Sequence, residues 1–207
     1  MIMLKNFGRF ITFEGTEGAG KSTQIPIIRD WLLEQGINVI TTREPGGTEL
    51  SEKIRHLLLT EDMCAETELL LMFAARKEHI EQVIKPALNR GDWVLCDRFT
   101  EATYAYQSAG RAIDRQYIAY LESWLQGELK PDYTFWFDIE VVNGIARAKK
   151  RQALDRFESE QIEFFEKVRS GYSKLAIERP NQFVKVNAAL SIDDITVQIQ
   201  SSLQKLL

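Results

Sequence analysis

Cysteine and histidine are both scarce in this chain of 207 residues, with two of each. Cys64 and Cys96 stand in separate segments, and neither they nor His56 and His79 form a pair at metal-ligand spacing, so we expect no zinc site. The low cysteine content also excludes a disulfide scaffold. It is typical of a reducing compartment, and we therefore expect a cytoplasmic protein.

Long hydrophobic runs are absent as well. The longest, 69–75, is far shorter than the roughly 20 residues of a membrane helix. The first ten residues carry Lys5 and Arg9 but no apolar core of a signal peptide, so we expect neither a membrane segment nor a secretory signal.

An excess of positive charge is also missing, because 26 Lys and Arg face 30 Asp and Glu, for a net charge of −4. We therefore expect no nucleic-acid partner. The remaining composition, with 44% hydrophobic and 27% charged residues, is that of an ordinary folded protein. The length favours one domain, residues 1–207.

Short apolar runs alternate with longer helical periods, a pattern typical of β-α-β units. The runs predict strands over 9–14, 38–43, 93–97, 133–138 and 183–187. We therefore predict an α/β fold of three layers, a doubly wound five-stranded parallel sheet with helices on both faces.

Helical stripes separate these strands and are predicted to face the core. Two stripes comprise Ile113, Tyr117, Leu121, Trp124 and Leu125, and Ile162, Phe165, Val168, Tyr172 and Leu175. Ser191 and Asp194 form a capping box at the start of the last helix, before Ile195, Ile199 and Leu203. Pro26 lies inside the first helix, predicted over 20–35, and should bend it.

A phosphate-binding loop follows the first strand. Residues 15–22 read GTEGAGKS, which matches G-x-x-x-x-G-K-[ST] between a strand and a helix. Backbone N–H groups of such a loop surround a polyphosphate, Lys21 supplies a cation, and Ser22 offers a hydroxyl to Mg²⁺. The predicted ATP-binding residues are Gly15, Thr16, Glu17, Gly18, Ala19, Gly20, Lys21, Ser22 and Thr23.

A carboxylate ends the third predicted strand, at Asp97, and Arg98 follows it. In a doubly wound sheet this position lies beside the phosphate loop, where a carboxylate holds Mg²⁺ or its waters. Asp138, at the end of the fourth strand, is the competing candidate. We prefer Asp97 because of the arginine after it.

Arginines distinguish the possible classes of phosphate-loop protein. The chain contains neither the N/T-K-x-D nor the D-x-x-G motif of a regulatory GTPase, and it is short for a ring-forming ATPase. A kinase needs arginines that grip the acceptor's phosphate, and the candidates are Arg43, Arg55, Arg76 and Arg98. A basic cluster, Arg147, Lys149, Lys150, Arg151 and Arg156, is either a solvated helix face or a closing lid.

Three further segments carry a resemblance to a known family. Residues 43–48 read REPGGT, 97–107 read DRFTEATYAYQ and 154–158 read LDRFE. Together with the phosphate loop they resemble bacterial thymidylate kinases along essentially the whole chain. The resemblance implies a five-stranded parallel sheet with a short lid, about 144–157. It also implies transfer of phosphate from Mg-ATP to dTMP for dTTP synthesis, and a homodimer to which the helix at 113–125 would contribute.

The resemblance also implies roles for individual residues. Lys21 and Ser22 match the residues at the ATP phosphates and Mg²⁺, and Arg98 matches an arginine near both phosphates. Arg76 matches the arginine at the thymine edge, Thr103 and Gln107 other base contacts, and Tyr106 the tyrosine that crowds C2′ of the sugar. Arg55 matches a second arginine at the acceptor phosphate, and Glu17 an acidic residue facing the deoxyribose or its phosphate.

Two positions depart from the family pattern. Some members have an arginine in the phosphate loop where this chain has Gly18, so the basic lid would replace that charge. The aromatic residue that stacks on thymine is often a Phe four residues before the base-edge arginine. Here that position is Met72 and Phe73 follows, so both remain candidates.

The predicted mechanism is in-line attack by a dTMP phosphate oxygen on the γ-phosphate of ATP. That oxygen is already anionic near neutral pH, so no general base is needed. We expect Asp97 to be part of the catalytic group, and Arg151, followed by Lys149 and Arg147, to complete the γ-phosphate shell. The alternatives are another nucleotide or deoxynucleoside kinase and a catalytically silent nucleotide-binding module.

Overall fold

Five parallel strands form the centre of the structure, a computed structural model that describes residues 8–149, 156–157 and 160–207. The strands are β1 Phe10–Glu14, β2 Val39–Arg43, β3 Trp93–Asp97, β4 Tyr133–Asp138 and β5 Phe183–Asn187. Three of them have the predicted bounds, while β1 and β2 begin one residue later than predicted. The predicted fold class is confirmed.

The strand order is β2-β3-β1-β4-β5, so β1 lies in the middle of the sheet. It pairs with β3 on one side and β4 on the other, with Phe13 opposite Asp97 and Phe135. The carboxyl ends of parallel neighbours meet at one edge, so the loops that follow β1 and β3 lie side by side.

Nine α-helices and two π-helical stretches cover the sheet in the described part of the chain. The helices are α1 Lys21–Glu34, α2 Glu49–Thr60, α3 Ala65–His79, α4 Lys85–Arg90, α5 Thr100–Thr103, α6 Arg115–Gln126, α7 Val141–Lys149, α8 Ile162–Glu178 and α9 Ile192–Leu203. The π-helical stretches, Ile80–Ile84 and Tyr104–Gly110, continue α3 and α5. Such stretches are frequent near functional sites.

Two main hydrophobic clusters fill the space between the sheet and its helices. One contains Ile28 and Leu32 of α1 and Ile199 of α9, packed against strand residues. The other contains Phe165 and Tyr172 of α8 with the second π-helical stretch. The three inner strands, β1, β3 and β4, are therefore mostly buried, which explains why they read as largely apolar runs.

The prediction of fully core-facing stripes is wrong at three positions. Tyr117 and Trp124 of α6 are 61% and 69% exposed, and Ile162, the first residue of α8, is 52% exposed. Leu121 and Leu125 do pack against the second cluster. The apolar stripe of α6 is therefore wider than the surface that buries it, because two of its aromatic rings point away from the sheet.

The structure shows where the predicted cap of α9 and the proline of α1 lie. Ser191 caps α9 by accepting the N–H of Asp194 at 3.2 Å, which confirms the predicted start. Pro26 lies inside α1, which nevertheless continues to Glu34. Within the described residues, no helix combines the length and the apolar character that crossing a membrane requires.

Candidate active site

A cleft of about 310 Å³ opens at the carboxyl edge of the sheet. It is lined by the phosphate loop, by the ends of β2 and β3, and by helices on the far side. Its lining residues are Glu17, Gly18, Ala19, Gly20, Lys21, Ser22, Glu44, Pro45, Arg55, Leu59, Met72, Arg76, Asp97, Arg98, Phe99, Ala102, Thr103, Tyr106, Gln107 and Phe157. Most of the predicted site residues therefore meet in one cavity.

The phosphate loop connects β1 to α1, which begins at Lys21. The Lys21 amine is buried and donates to the carbonyl oxygens of Gly15 at 3.1 Å and Thr16 at 3.3 Å. Burial and the nearby Arg98 guanidinium lower the pKa of Lys21. The loop thus holds its own cation beside the backbone N–H groups of a helix N-terminus, the arrangement that binds anions. Thr23 lies exposed in the first turn of α1.

Steric crowding explains why position 18 holds a glycine and not an arginine. Its φ is +72°, and an added Cβ would lie 2.0 Å from the carbonyl oxygen of Gly144 in α7. A Cβ on Gly144 would in turn lie 2.8 Å from the carbonyl oxygen of Glu17. An arginine does not fit at position 18 while this backbone contact between the loop and α7 persists.

Asp97 lies at the end of β3, beside the loop. Its Oδ1 is 3.9 Å from the Lys21 amine, and among the described residues this buried oxygen has no hydrogen-bond partner. Asp138 instead pairs with Arg169 at 2.7 Å and Lys185 at 2.9 Å and does not line the cleft. The geometry therefore favours Asp97 over Asp138 as the acidic group of the site.

Arg98 bridges the phosphate loop and the opposite wall. Its Nη1 donates to the Gly15 carbonyl at 2.9 Å, and its Nη2 to Glu17 at 2.6 Å. Its guanidinium lies 4.9 Å from the ring centroid of Tyr106, whose hydroxyl donates to both Glu17 oxygens at 2.9 Å. Arg98 has a φ of 70°, so its backbone adopts a left-handed conformation that is uncommon outside glycine.

A buried carboxyl group supports this conformation. Glu14, the last residue of β1, accepts the N–H of Phe99 and the hydroxyl of Tyr172, each at 2.7 Å. Burial, with the nearby Glu101 carboxyl, raises the pKa of Glu14 to about 8. The Glu14 carboxyl thus fixes the backbone next to Arg98 and holds its proton near neutral pH.

Arg55 and Arg43 have different surroundings. Arg55 lines the cleft and donates to the Pro45 carbonyl at 3.0 Å. Arg43 is half exposed, pairs with Glu52 at 2.9 Å and does not line the cleft. Of the four candidate arginines, Arg43 is therefore the one that the structure does not bring to the site.

Arg76 projects from α3 into the cleft and is almost fully buried. Its guanidinium carbon lies 4.8 Å from the Phe73 ring centroid and 5.2 Å from that of Phe99. Phe73 is buried and does not line the cleft, whereas Met72 does. Phe73 therefore packs on the arginine, and Met72 is the member of the pair that faces the cavity.

Thr103 and Gln107 are both buried and both line the cleft. The Gln107 amide donates to Glu68 at 2.8 Å, and Arg156, near the end of the predicted lid, donates to the other Glu68 oxygen at 2.6 Å. Arg111 lies 3.5 Å from the same carboxylate. One buried carboxylate of α3 therefore joins the lid to a residue of the cleft.

Among the described residues of the predicted lid, Arg147 and Lys149 do not line the cleft, and Lys150 lies outside the described residues. Arg147 donates to the Ala188 carbonyl at 2.9 Å, and Lys149 is exposed at the end of α7. Arg151 lies outside the described residues. The geometry thus links the two ends of the lid segment to different parts of the protein, α7 to the phosphate loop and Arg156 to α3.

Sequence reasoning missed the buried groups that hold the site residues in place. Glu14, Glu44, Glu68 and His79 are each 5% exposed or less. The REPGGT segment includes Glu44, but its partners come from distant segments of the chain. Only Glu14 had a local signal, as a charged residue inside a fully buried strand.

Known proteins resemble the chain over nearly its whole length. The family model described as Thymidylate kinase matches residues 13–199. A thymidylate kinase of Teredinibacter turnerae is 52% identical over 205 residues, which cover 97% of this chain and 99% of the relative. One of Pseudomonas syringae pv. tomato is 53% identical over 203 residues, with 97% and 95% covered.

A solved structure shares the fold. The crystal structure of thymidylate kinase from Ehrlichia chaffeensis superposes with a TM-score of 0.78 at 34% identity, covering 95% of this chain and 99% of that chain. The matched region includes the phosphate loop, the strand ends and the helices that form the cleft. On the family match, the relatives and the fold, the chain belongs to the thymidylate kinase family.

Proposed function

We propose that the cleft transfers the γ-phosphate of ATP to dTMP, giving ADP and dTDP. The observation that carries this proposal is that one cavity is lined by both a phosphate loop and three arginines, Arg55, Arg76 and Arg98. Such a cavity brings a donor and an anionic acceptor together, and phosphoryl transfer depends mainly on that positioning.

On the donor side, residues 15–23 hold the ATP phosphates through backbone N–H groups and the Lys21 amine. Lys21 already lies against the loop, held by two carbonyl oxygens. A phosphate that contacts this amine favours its charged form, which burial alone disfavours. The lid, about 144–157, closes over the phosphates with Arg151, Lys149 and Arg147.

The residues beside the loop fit Mg²⁺ as the cofactor. Asp97 Oδ1 is buried with no hydrogen-bond partner in the described structure, and Ser22, which carries a hydroxyl, lines the same cleft. Mg²⁺ prefers oxygen ligands and commonly uses one or two carboxylates with the phosphates of the substrate. Ser22 and Asp97 would hold the ion, which neutralises charge on the phosphates when bound.

On the acceptor side, Arg55 and Arg98 orient the phosphate of dTMP, and Glu17 and Tyr106 lie beside the sugar. Arg76, Thr103 and Gln107 contact the base edge, and the Met72 side chain covers the ring. The acceptor oxygen is anionic at neutral pH, so the mechanism needs no proton acceptor. Asp97 and the arginines act through position and charge alone.

Paired substitutions test this division of the cleft. Lys21→Ala should lower kcat and raise the KM for ATP at least tenfold. Arg55→Ala should raise the KM for dTMP at least tenfold and leave the KM for ATP within twofold. Arg43→Ala is the matched control, since this arginine is outside the cleft. If Arg43→Ala and Arg55→Ala give equal KM values for dTMP, the assignment of the acceptor side is wrong.

We also propose a homodimer in the cytoplasm. Both cysteines are free thiols, which fits a reducing compartment. Helix α3 packs against both α2 and α6. These three helices expose the large apolar side chains of Leu50, Leu57, Leu70, Tyr117, Tyr120 and Trp124. An apolar patch of this kind marks a protein interface.

Sedimentation tests the dimer. The wild-type chain should sediment at twice its 23.9 kDa at micromolar concentration, and the double variant Tyr120→Glu, Trp124→Glu at 23.9 kDa. Val197→Glu is the control, because Val197 is 60% exposed on α9, which packs against α1. A wild-type chain of 23.9 kDa contradicts the proposal.

A further inference from the structure

A buried chain of hydrogen bonds leads from the second strand to Arg76. The Thr42 hydroxyl lies 2.7 Å from Nε2 of His79, and Nδ1 of His79 lies 2.9 Å from Oε1 of Glu44. The other Glu44 oxygen accepts from Nε of Arg76 at 2.7 Å. His79, Glu44 and Arg76 are 0%, 5% and 2% exposed, so water does not compete for these contacts.

The guanidinium of Arg76 is fixed on all but one side. Its Nε is used by Glu44, its Nη2 donates to the Phe99 carbonyl at 3.0 Å, and the rings of Phe73 and Phe99 pack on it. Nη1 is buried and has no partner among the described residues, although Arg76 lines the cleft. One donor nitrogen therefore remains for a ligand.

The charges along this hydrogen-bond chain are consistent with a fixed orientation of the Arg76 guanidinium. Burial alone would favour a neutral carboxyl, but the Arg76 guanidinium and His79 lower the pKa of Glu44 below its ordinary value. A carboxylate only accepts hydrogen bonds, so Nδ1 of His79 carries a proton toward Glu44. Nε2 of the same ring then accepts from the Thr42 hydroxyl, so both ring nitrogens of His79 have partners.

We propose that His79 and Glu44 are positioning residues that orient Arg76 so that its Nη1 faces the base of the nucleotide acceptor. This inference rests on the proposed role of Arg76 at the base edge. His79 acts through Glu44 and does not line the cleft. Without the His79 side chain, the Glu44 carboxylate can rotate. Nη1 of Arg76 is then no longer held in one orientation toward the base.

His79 is the residue to change, because Glu44 lines the cleft and its loss would also remove a direct contact. His79→Leu removes the donor to Glu44. His79→Asn keeps an N–H near the position of Nδ1 and is the conservative variant. We expect His79→Leu to raise the KM for dTMP at least fivefold, with kcat and the KM for ATP within twofold. His79→Asn should restore the KM for dTMP to within twofold of wild type.

A second pair of variants, at the Thr42 end of the hydrogen-bond chain, tests the same role if the histidine variants misfold. Thr42→Val deletes the hydroxyl that contacts His79 with little change in shape, and we expect the KM for dTMP to rise about two- to threefold. Thr41→Val makes the same change on the exposed neighbouring residue of β2 and should leave all constants unchanged.

Arg76→Ala separates failure of this inference from failure of the proposed base contact. If Arg76→Ala leaves the KM for dTMP unchanged, Arg76 does not contact the base and both ideas fail. If Arg76→Ala raises it but His79→Leu does not, only the positioning role fails. A His79→Leu variant that lowers kcat and raises both KM values together, with no rescue by His79→Asn, shows a purely structural residue and overturns the inference.

Discussion

Arg98 and Glu17 form an ion pair at the phosphate loop, with Nη2 of the arginine 2.6 Å from Oε1 of the glutamate. The other arm of the same guanidinium donates to the Gly15 carbonyl at 2.9 Å. One side chain therefore connects the end of β3 to both the start and the middle of the phosphate loop. This fork is a geometry that a lysine ammonium does not reproduce.

The fork predicts that Arg98→Lys is not a conservative change. Lysine retains the charge but reaches one acceptor at a time, so kcat should fall at least tenfold, which is about 1.4 kcal/mol. Arg169→Lys is the control, since Arg169 pairs with Asp138 outside the cleft. Steady-state kinetics in which Arg98→Lys and Arg169→Lys behave alike would refute the role of the fork.

Tyr106 is predicted to exclude a ribose 2′-hydroxyl. Its ring packs edge-on against Phe157 and Phe164 and over the Arg98 guanidinium. Tyr106→Ala should therefore reduce the ratio of kcat/KM for dTMP to that for ribothymidine monophosphate at least fivefold. Tyr106→Phe keeps the ring and should retain more of that ratio. Unchanged selectivity in both variants means that a residue other than Tyr106 excludes the ribose 2′-hydroxyl.

The basic lid is predicted to act on the transferring phosphate. Gly18 has no room for a charged side chain beside Gly144, so a cation at the γ-phosphate in addition to Lys21 has to come from another segment. Arg151→Ala should lower kcat at least tenfold, roughly 1.4 kcal/mol. Lys149→Ala and Arg147→Ala should have smaller effects. A loss below tenfold for Arg151→Ala rules out its role in completing the γ-phosphate shell.

Glu14 makes stability depend on pH. The pKa of this carboxyl is raised from 4.5 to about 8 in the folded chain, so between these values the folded state keeps a proton that the unfolded state has lost. Its contribution to stability is complete below pH 4.5 and is lost as the pH rises to about 8. The free energy of unfolding should therefore decrease over this range, by more than about 1 kcal/mol.

Denaturant unfolding at pH 5 and pH 8 checks this prediction in wild type and Glu14→Gln. The amide cannot ionise, so Glu14→Gln should lose less stability than wild type between the two pH values. Glu34→Gln, a change at an exposed residue of α1, should follow wild type. Equal pH dependence in wild type and Glu14→Gln shows that the Glu14 carboxyl does not titrate in this range.

The fold was predictable because its strands are parallel and three of them lie inside the sheet. The inner strands, buried on both faces, read as largely apolar runs, and the bounds of all five strands were correct within one residue. The phosphate loop was equally visible, because its glycines and Lys21 are contiguous in the chain. The carboxyl-edge position of Asp97 followed from the strand that it ends.

The contacts that hold the site residues in place were not predictable from the same patterns. Glu14 and Phe99 are 85 residues apart, and Glu44 and Arg76 are 32 apart, so no local spacing reveals these contacts. Met72 and Phe73 are neighbours on a helix, and only the packing of α3 decides which one faces the cleft. The stripe of α6 misled for a related reason, because a buried apolar face and an exposed one have the same apolar period.

A coupled ADP-release assay with Mg-ATP and a panel of nucleoside monophosphates tests the central claim most directly. The account predicts strong turnover with dTMP and weaker turnover with dUMP, since one methyl group in a pocket is worth only about 1 to 3 kcal/mol. A preference for another monophosphate would contradict the assigned base contacts. Absence of turnover with every monophosphate would contradict the kinase activity itself.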